Sequence, residues 1–141
     1  MPDKEKVFFD TNILVYAHDS GSPKKQATSR TLLFRSLREG TGVISPQVLS
    51  EFFVTVTQKV AQPLTEERAR KEIVLLSTIA SIDLDATLVI RAIEMKKRWQ
   101  LSYWDALILA AAERADCNVV YSEDLSDGQT YGQVRVINPY M

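Results

Sequence analysis

The chain has 141 residues, 45% hydrophobic and 25% charged, with a formal net charge of −1. That length suits one domain over 1–141, able to bury roughly two-thirds of its unfolded surface, and the near-neutral charge lacks the overall basic field of a general nucleic-acid binder while leaving room for a local basic patch. One cysteine (Cys117) and one histidine (His18) exclude an internal disulfide framework, multi-cysteine zinc sites and two-histidine metal motifs.

Val7 to Phe9 is a short, apolar, β-favouring run. Ser22-Pro23 then supplies a cap and a proline at the first helical position, predicting a helix to about Glu39 with Gly40 as its stop. Gly42-Val43-Ile44 is a strand candidate. Ser45-Pro46 repeats the cap-plus-proline signal and opens a helix to about Val60, with Val48, Leu49, Phe52, Phe53 and Val56 as a wide apolar face. Gln62-Pro63 breaks the chain. Thr65, Asp85 and Ser102 each cap a further helix, the last two running to about Trp99 and about Ala115. Asn118–Tyr121 and Val134–Ile137 are the closing strands. No repeat, linker or low-complexity segment interrupts the pattern. Strands separated by helices imply an α/β fold with a central, mainly parallel sheet of about four to five short strands. In such sheets ligands bind beyond the carboxyl ends of the strands.

Four carboxylates stand out because each adjoins apolar sequence: Asp10 after Val7-Phe8-Phe9, Glu51 before Phe52-Phe53-Val54, Asp105 before Ala106-Leu107-Ile108, and Asp124 shortly after Val119-Val120-Tyr121. A buried charge costs several kcal/mol unless it is paired or coordinates a metal. A shared, cation-binding pocket is the simplest way to make four of them tolerable. Taken singly, each acid has a bland reading. Asp10 could cap the next helix or close a turn. Glu51 could share a solvated helix face with Ser50, Thr55 and Lys59. Asp105 completes Ser102-Tyr103-Trp104-Asp105, a capping-box pattern. Asp124 lies in a Ser/Gly-rich loop with Glu123 and Asp127 as reserve candidates. Thr11 and Asn12 add two side-chain oxygens beside Asp10.

No G-x-G-x-x-G or Walker loop occurs among the five glycines, so oxygen ligands for magnesium or manganese are the metal chemistry left. Basic residues cluster at Lys24, Lys25, Arg30, Arg35 and Arg38, at Arg68, Arg70 and Lys71, and at Lys96-Lys97-Arg98. Each cluster reads first as a solvated face. Tyr103 and Trp104 read as core or rim packing rather than base-stacking platforms, and His18 and Cys117 as structural or incidental. No stretch approaches the ~20 apolar residues of a membrane span, and no signal-type apolar run follows the charged opening Met1 to Lys6. A cytoplasmic location is expected.

Phe8-Phe9-Asp10-Thr11-Asn12-Ile13-Leu14 resembles the opening motif of the PIN domain family. Ser45 to Phe52 resembles its second motif, Tyr103 to Ile108 its third and Val119 to Leu125 its fourth; the ending, Gly128 to Tyr140, is similar to VapC-like toxins. The resemblance implies an α/β/α sandwich and a Mg2+- or Mn2+-dependent ribonuclease. By it, Asp10, Glu51, Asp105 and Asp124 form the acidic, metal-holding catalytic pocket, with Thr11, Asn12 and Ser122 in support. Asp127 matches an additional acid of some relatives. It also implies an RNA substrate, a small cognate antitoxin that reaches into the pocket, and a homodimer. Two other readings stay open at this point. One is a phosphoryl-transfer enzyme with Asp10 as nucleophile, although Asp10-Thr11-Asn12 lacks the second aspartate of a D-x-D motif. The other is a non-catalytic module whose acids grip a basic partner.

Overall fold

A computed structural model describes residues 5–141; the charged opening at 1–4 lies outside the described residues. The elements follow in the order β1 (Val7–Phe9), α1 (Thr11–Ala17), α2 (Pro23–Glu39), β2 (Gly42–Ile44), α3 (Pro46–Gln58), α4 (Glu66–Leu76), β3 (Ala80–Ser81), α5 (Ala86–Trp99), α6 (Tyr103–Arg114), β4 (Val119–Tyr121), β5 (Thr130–Tyr131) and β6 (Val134–Ile137). The sheet runs β3-β2-β1-β4-β6-β5, parallel throughout except for the β5–β6 pair. The result is the expected α/β/α sandwich around a mostly parallel sheet, with six strands rather than four to five. The two additions, β3 and β5, are two residues each and sit at opposite sheet edges.

The caps explain why the helices start where they do. The side chains of Ser45, Thr65, Asp85 and Ser102 accept from the backbone N–H groups of Val48, Arg68, Leu88 and Asp105, satisfying donors that the first turn leaves free. Ser22 occupies the expected cap position of α2 without forming such a bond. Gly40 ends α2 in the left-handed region at φ 68, its N–H donated to the Ser36 carbonyl.

One helix has no counterpart in the sequence reading. Helix α1 is only seven residues long, and Thr11, Ile13, Leu14, Val15 and Ala17 are all buried. A helix buried on nearly every side shows no apolar–polar period, and its β-branched content resembles an extension of β1. Helix α6 is likewise sunk, with Ala106 through Ala112 all buried. Phe8, Phe9, Ile44 and Val120 from the strands meet Leu14, Val48, Phe52, Leu88, Met95 and Leu109 from the helices to fill the core. Among the described residues no helix is long and apolar enough to cross a membrane.

The strand interior leaves no room at Gly42. A Cβ there would lie 2.8 Å from Ser36 Oγ and 3.0 Å from Phe9 Cε2. Ser36 is itself buried and donates to the Leu33 carbonyl, so neither neighbour can easily retreat. Gly42→Ala is expected to destabilise the fold by about 1–3 kcal/mol, the usual cost of overpacking. Urea denaturation would show it as a lower midpoint with an unchanged slope.

Candidate active site

The register of the central strands builds the site. β1 lies beside β4 with Phe9 opposite Tyr121, so the residues that follow, Asp10 and Ser122, emerge together at the carboxyl edge of the sheet. The Asp10 N–H donates to the Tyr121 carbonyl at 3.0 Å and the Ser122 N–H to Ile137 at 3.1 Å, extending the ladder by one step. Ser122 Oγ then donates to Asp10 Oδ2 at 2.7 Å. The same hydroxyl accepts the N–H groups of Asp124 and Leu125 at 3.1 and 3.3 Å. One buried serine thus fixes both Asp10 and the turn that carries Asp124.

Asp10 caps α1 as well: its Oδ1 accepts the Thr11 N–H at 2.7 Å. The capping reading of Asp10 therefore holds, and it leaves the carboxyl at the same edge of the sheet. It is 6% exposed. Burial is the main force on its carboxyl, pushing the pKa up to about 6 from 3.8; the Ser122 and Thr11 hydrogen bonds oppose that, and the charges of Asp124 and Glu51 add to it. Glu51 and Asp124 therefore share an electrostatic neighbourhood with Asp10.

Of the four acids Asp10 is the buried one; Glu51 and Asp124 are exposed and Asp105 is half-buried, despite their apolar neighbours in sequence. The reason for Glu51 is helical geometry. On α3, Val48, Phe52 and Val56 share one face at i, i+4 spacing and take the core, while Glu51 turns outward beside exposed Ser50 and Val54. Asp124 belongs to a turn rather than to the strand. Asp105 stands in the first turn of α6, and its backbone N–H is taken by the Ser102 cap at 3.1 Å. Helix α6 leads directly into parallel strand β4, so its N-terminus faces the carboxyl edge where Asp10 lies.

Asn12 bridges the acids: its Nδ2 donates to Asp124 Oδ2 at 3.1 Å and its Oδ1 accepts the Glu123 N–H at 3.3 Å. Thr11 is buried, and its Oγ1 has no hydrogen-bond partner. Asp127 turns away from this group; its Oδ1 accepts the Asn138 N–H at 2.8 Å and so ties the loop to the C-terminal segment. Glu123 is held by Tyr16 at 3.0 Å and by Lys25 at 2.9 Å, with the Lys25 ammonium 4.7 Å from the Tyr16 ring centroid. Lys25 is therefore no simple solvated-face residue, and neither it nor Tyr16 carried any local sign of this contact. Trp104, expected in the core or at its rim, is 62% exposed.

The donor set suits a hard divalent cation, because all the candidate ligands are carboxylate or hydroxyl oxygens. A cation beside Asp10 would also offset the repulsion that Asp124 and Glu51 exert on it. Among the described residues no three acids, histidines or cysteines stand gathered as a ready-made ion cage.

The sequence profile of the PIN domain matches residues 7–126. No curated protein matches the chain. Among solved structures, a toxin–antitoxin complex from Klebsiella pneumoniae is 20% identical with a TM-score of 0.72, covering 96% of this chain and 98% of that one. Mycobacterium tuberculosis VapC20, a sarcin–ricin loop cleaving toxin, is 19% identical with a TM-score of 0.67, covering 84% and 90%. VapBC2 from Rickettsia felis, bound to a DNA fragment from its promoter, is 18% identical with a TM-score of 0.66, covering 92% and 96%. At these identities the likeness is one of fold. The profile extends over most of the sequence and ends just past the turn that carries Asp124, and on that match the chain belongs to the PIN domain family.

Proposed function

We propose that the chain is a single PIN domain that acts as a Mg2+- or Mn2+-dependent endoribonuclease, the cytoplasmic toxin of a toxin–antitoxin pair. The observation that carries this reading is the buried carboxyl of Asp10 at the carboxyl edge of the sheet, fixed by Ser122 and Thr11, with Asp124 held nearby by Asn12. Such a group is costly in isolation and useful beside a cation. The similar structures support RNA as substrate and an antitoxin as partner, since one is a toxin that cleaves the sarcin–ricin loop and another is a toxin–antitoxin complex.

In this reading Asp10 and Asp124 are the first metal ligands, and Glu51 and Asp105 complete the site or orient the attacking water. Bound there, the metal lowers the pKa of water and neutralises phosphate charge. The protein's own groups do the positioning. The Thr11 N–H and Ser122 hydroxyl hold the two oxygens of Asp10, and the Asn12 amide holds Asp124. A carboxylate not committed to such bonds, Glu51 or Asp105, accepts the water proton as its oxygen attacks phosphorus. The P–O bond to the leaving ribose oxygen breaks, that oxygen takes a proton from solvent water, and the carboxylate returns its own proton to solvent. Each Asp10 oxygen accepts one hydrogen bond at 2.7 Å, which lowers its nucleophilicity and leaves a lone pair for a cation.

Two apolar strips are uncovered in the single chain and support partnership with an antitoxin and a second copy. Phe34, Leu37 and Leu75 line a cavity between α2 and α4. Val89, Ile90 and Ile93 stand out from α5.

The test is cleavage of defined RNAs by purified protein. Activity should vanish in excess chelator and return when Mg2+ or Mn2+ is restored. Cleavage that survives exhaustive chelation would overturn the metal mechanism.

A further inference from the structure

We propose that the groove beside Trp104 is a nucleobase subsite, in which the indole stacks on a base of single-stranded RNA next to the scissile phosphate. The proposal rests on the ribonuclease reading above. Trp104 directly precedes Asp105, yet its side chain is 62% exposed. Leaving so large an aromatic surface in water is unfavourable unless something covers it. The residue is also firmly placed. Its carbonyl accepts Gln47 Nε2 at 3.2 Å, and its ring lies edge-on to Tyr103 at 5.1 Å between centroids. The first fixes the backbone that carries the indole, and the second braces one edge of the ring.

The groove it borders has a volume of about 560 Å³ and is lined by Glu51, Val54, Lys59, Leu84 and Leu107 among others, within the ordinary range for a ligand site. Glu51 lies on α3 and Lys59 caps its C-terminal end about two turns on, so the groove leads from the acidic edge to a cation ~12 Å away. That order suits a nucleotide strand: chemistry at one end, an apolar slot with a flat aromatic wall, then a positive charge for a backbone phosphate. Gln47 also lines the groove; it is 7% exposed, and its Oε1 is buried without a hydrogen-bond partner just behind the groove wall. Single-stranded RNA is bound by this combination of aromatic stacking and a charged groove.

The two tryptophans make the test direct. In a Trp99→Phe, Asp10→Asn protein, which cannot cleave, the remaining Trp104 emission should be quenched saturably by a short single-stranded RNA in the presence of Mg2+. In the otherwise unaltered chain, Trp104→Ala should lower kcat/KM on single-stranded RNA about 5- to 150-fold, the equivalent of one base–aromatic stack of ~1–3 kcal/mol. The loss should fall mainly on KM, with Trp104→Phe restoring most of it and the melting temperature unchanged. If the wild type cleaves RNA but Trp104→Ala cleaves equally well, or no quenching occurs, the base subsite is wrong and the ribonuclease reading stands. If the wild type cleaves no RNA under any metal condition, that reading itself has failed. Should Trp104→Ala convert a dimer to a monomer in sedimentation, with no quenching by RNA, the groove is covered by a second copy and the proposal is overturned.

Discussion

Asp10→Asn should abolish RNA cleavage and at the same time make the protein harder to unfold. The activity loss is expected at about 10²–10³-fold or more, the scale of removing a group that stabilises charge only in the transition state. The stability gain follows from burial. A carboxyl held at about 6 instead of 3.8 makes the ionised side chain ~3 kcal/mol costlier in the fold than in the unfolded chain. Asparagine caps a helix about as well as aspartate, so the Thr11 N–H keeps its acceptor. The Ser122 hydroxyl loses an ionic partner, worth about 1 kcal/mol. The balance is about 2 kcal/mol, or a rise in melting temperature of roughly 5–8 °C.

The pH dependence has a definite sign. Because the folded pKa is raised, the contribution of Asp10 to stability is present below 3.8 and is lost as pH rises through about 6. The variant should therefore melt well above the wild type at neutral pH, and the gap should close toward about pH 4. Added Mg2+ should raise the wild-type melting temperature and leave that of Asp10→Asn unchanged. A variant that melts below the wild type at every pH would mean that Asp10 is an ordinary stabilising cap.

The parts of this molecule that were legible in its sequence are those governed by neighbours in the chain. Ser45-Pro46, Thr65, Asp85 and Ser102 announced helix starts because capping acts over three residues. The strands β1, β2, β4 and β6 were short apolar runs between them. Helix α1 escaped because total burial erases periodicity. The order of the acids was legible, whereas their exposure was not. Apolar neighbours at i+1 and i+2 of Glu51 belong to a different face of α3, so they say nothing about where Glu51 itself points. The contacts made by Tyr16 and Lys25 with Glu123 span about a hundred residues, and only the fold brings them together. Asp127 and Asp124 are equivalent as loop acids in the sequence. In the structure one binds the Asn138 N–H and the other is held by Asn12.

Asp105 is the acid for which structure and chemistry make separable demands. As a cap-box residue its side chain should be replaceable at little cost to activity; as a site acid it should not. The structure divides the two roles between atoms. The Ser102 cap is made to the Asp105 backbone N–H at 3.1 Å, and that bond survives any change of side chain. What the carboxylate adds to stability is then its interaction with the positive helix end, about 0.3–1 kcal/mol. Asp105→Asn is accordingly expected to lower cleavage about 10²–10³-fold while costing less than about 1 kcal/mol in urea denaturation. Ser102→Ala should do the reverse, losing about 1 kcal/mol of stability as the cap is removed and keeping cleavage within a few-fold. The double variant should combine the stability loss of Ser102→Ala with the activity loss of Asp105→Asn, and a double-mutant cycle measures any coupling between these neighbours. Full cleavage by Asp105→Asn would remove Asp105 from the catalytic set and leave Asp10, Glu51 and Asp124 to hold the metal.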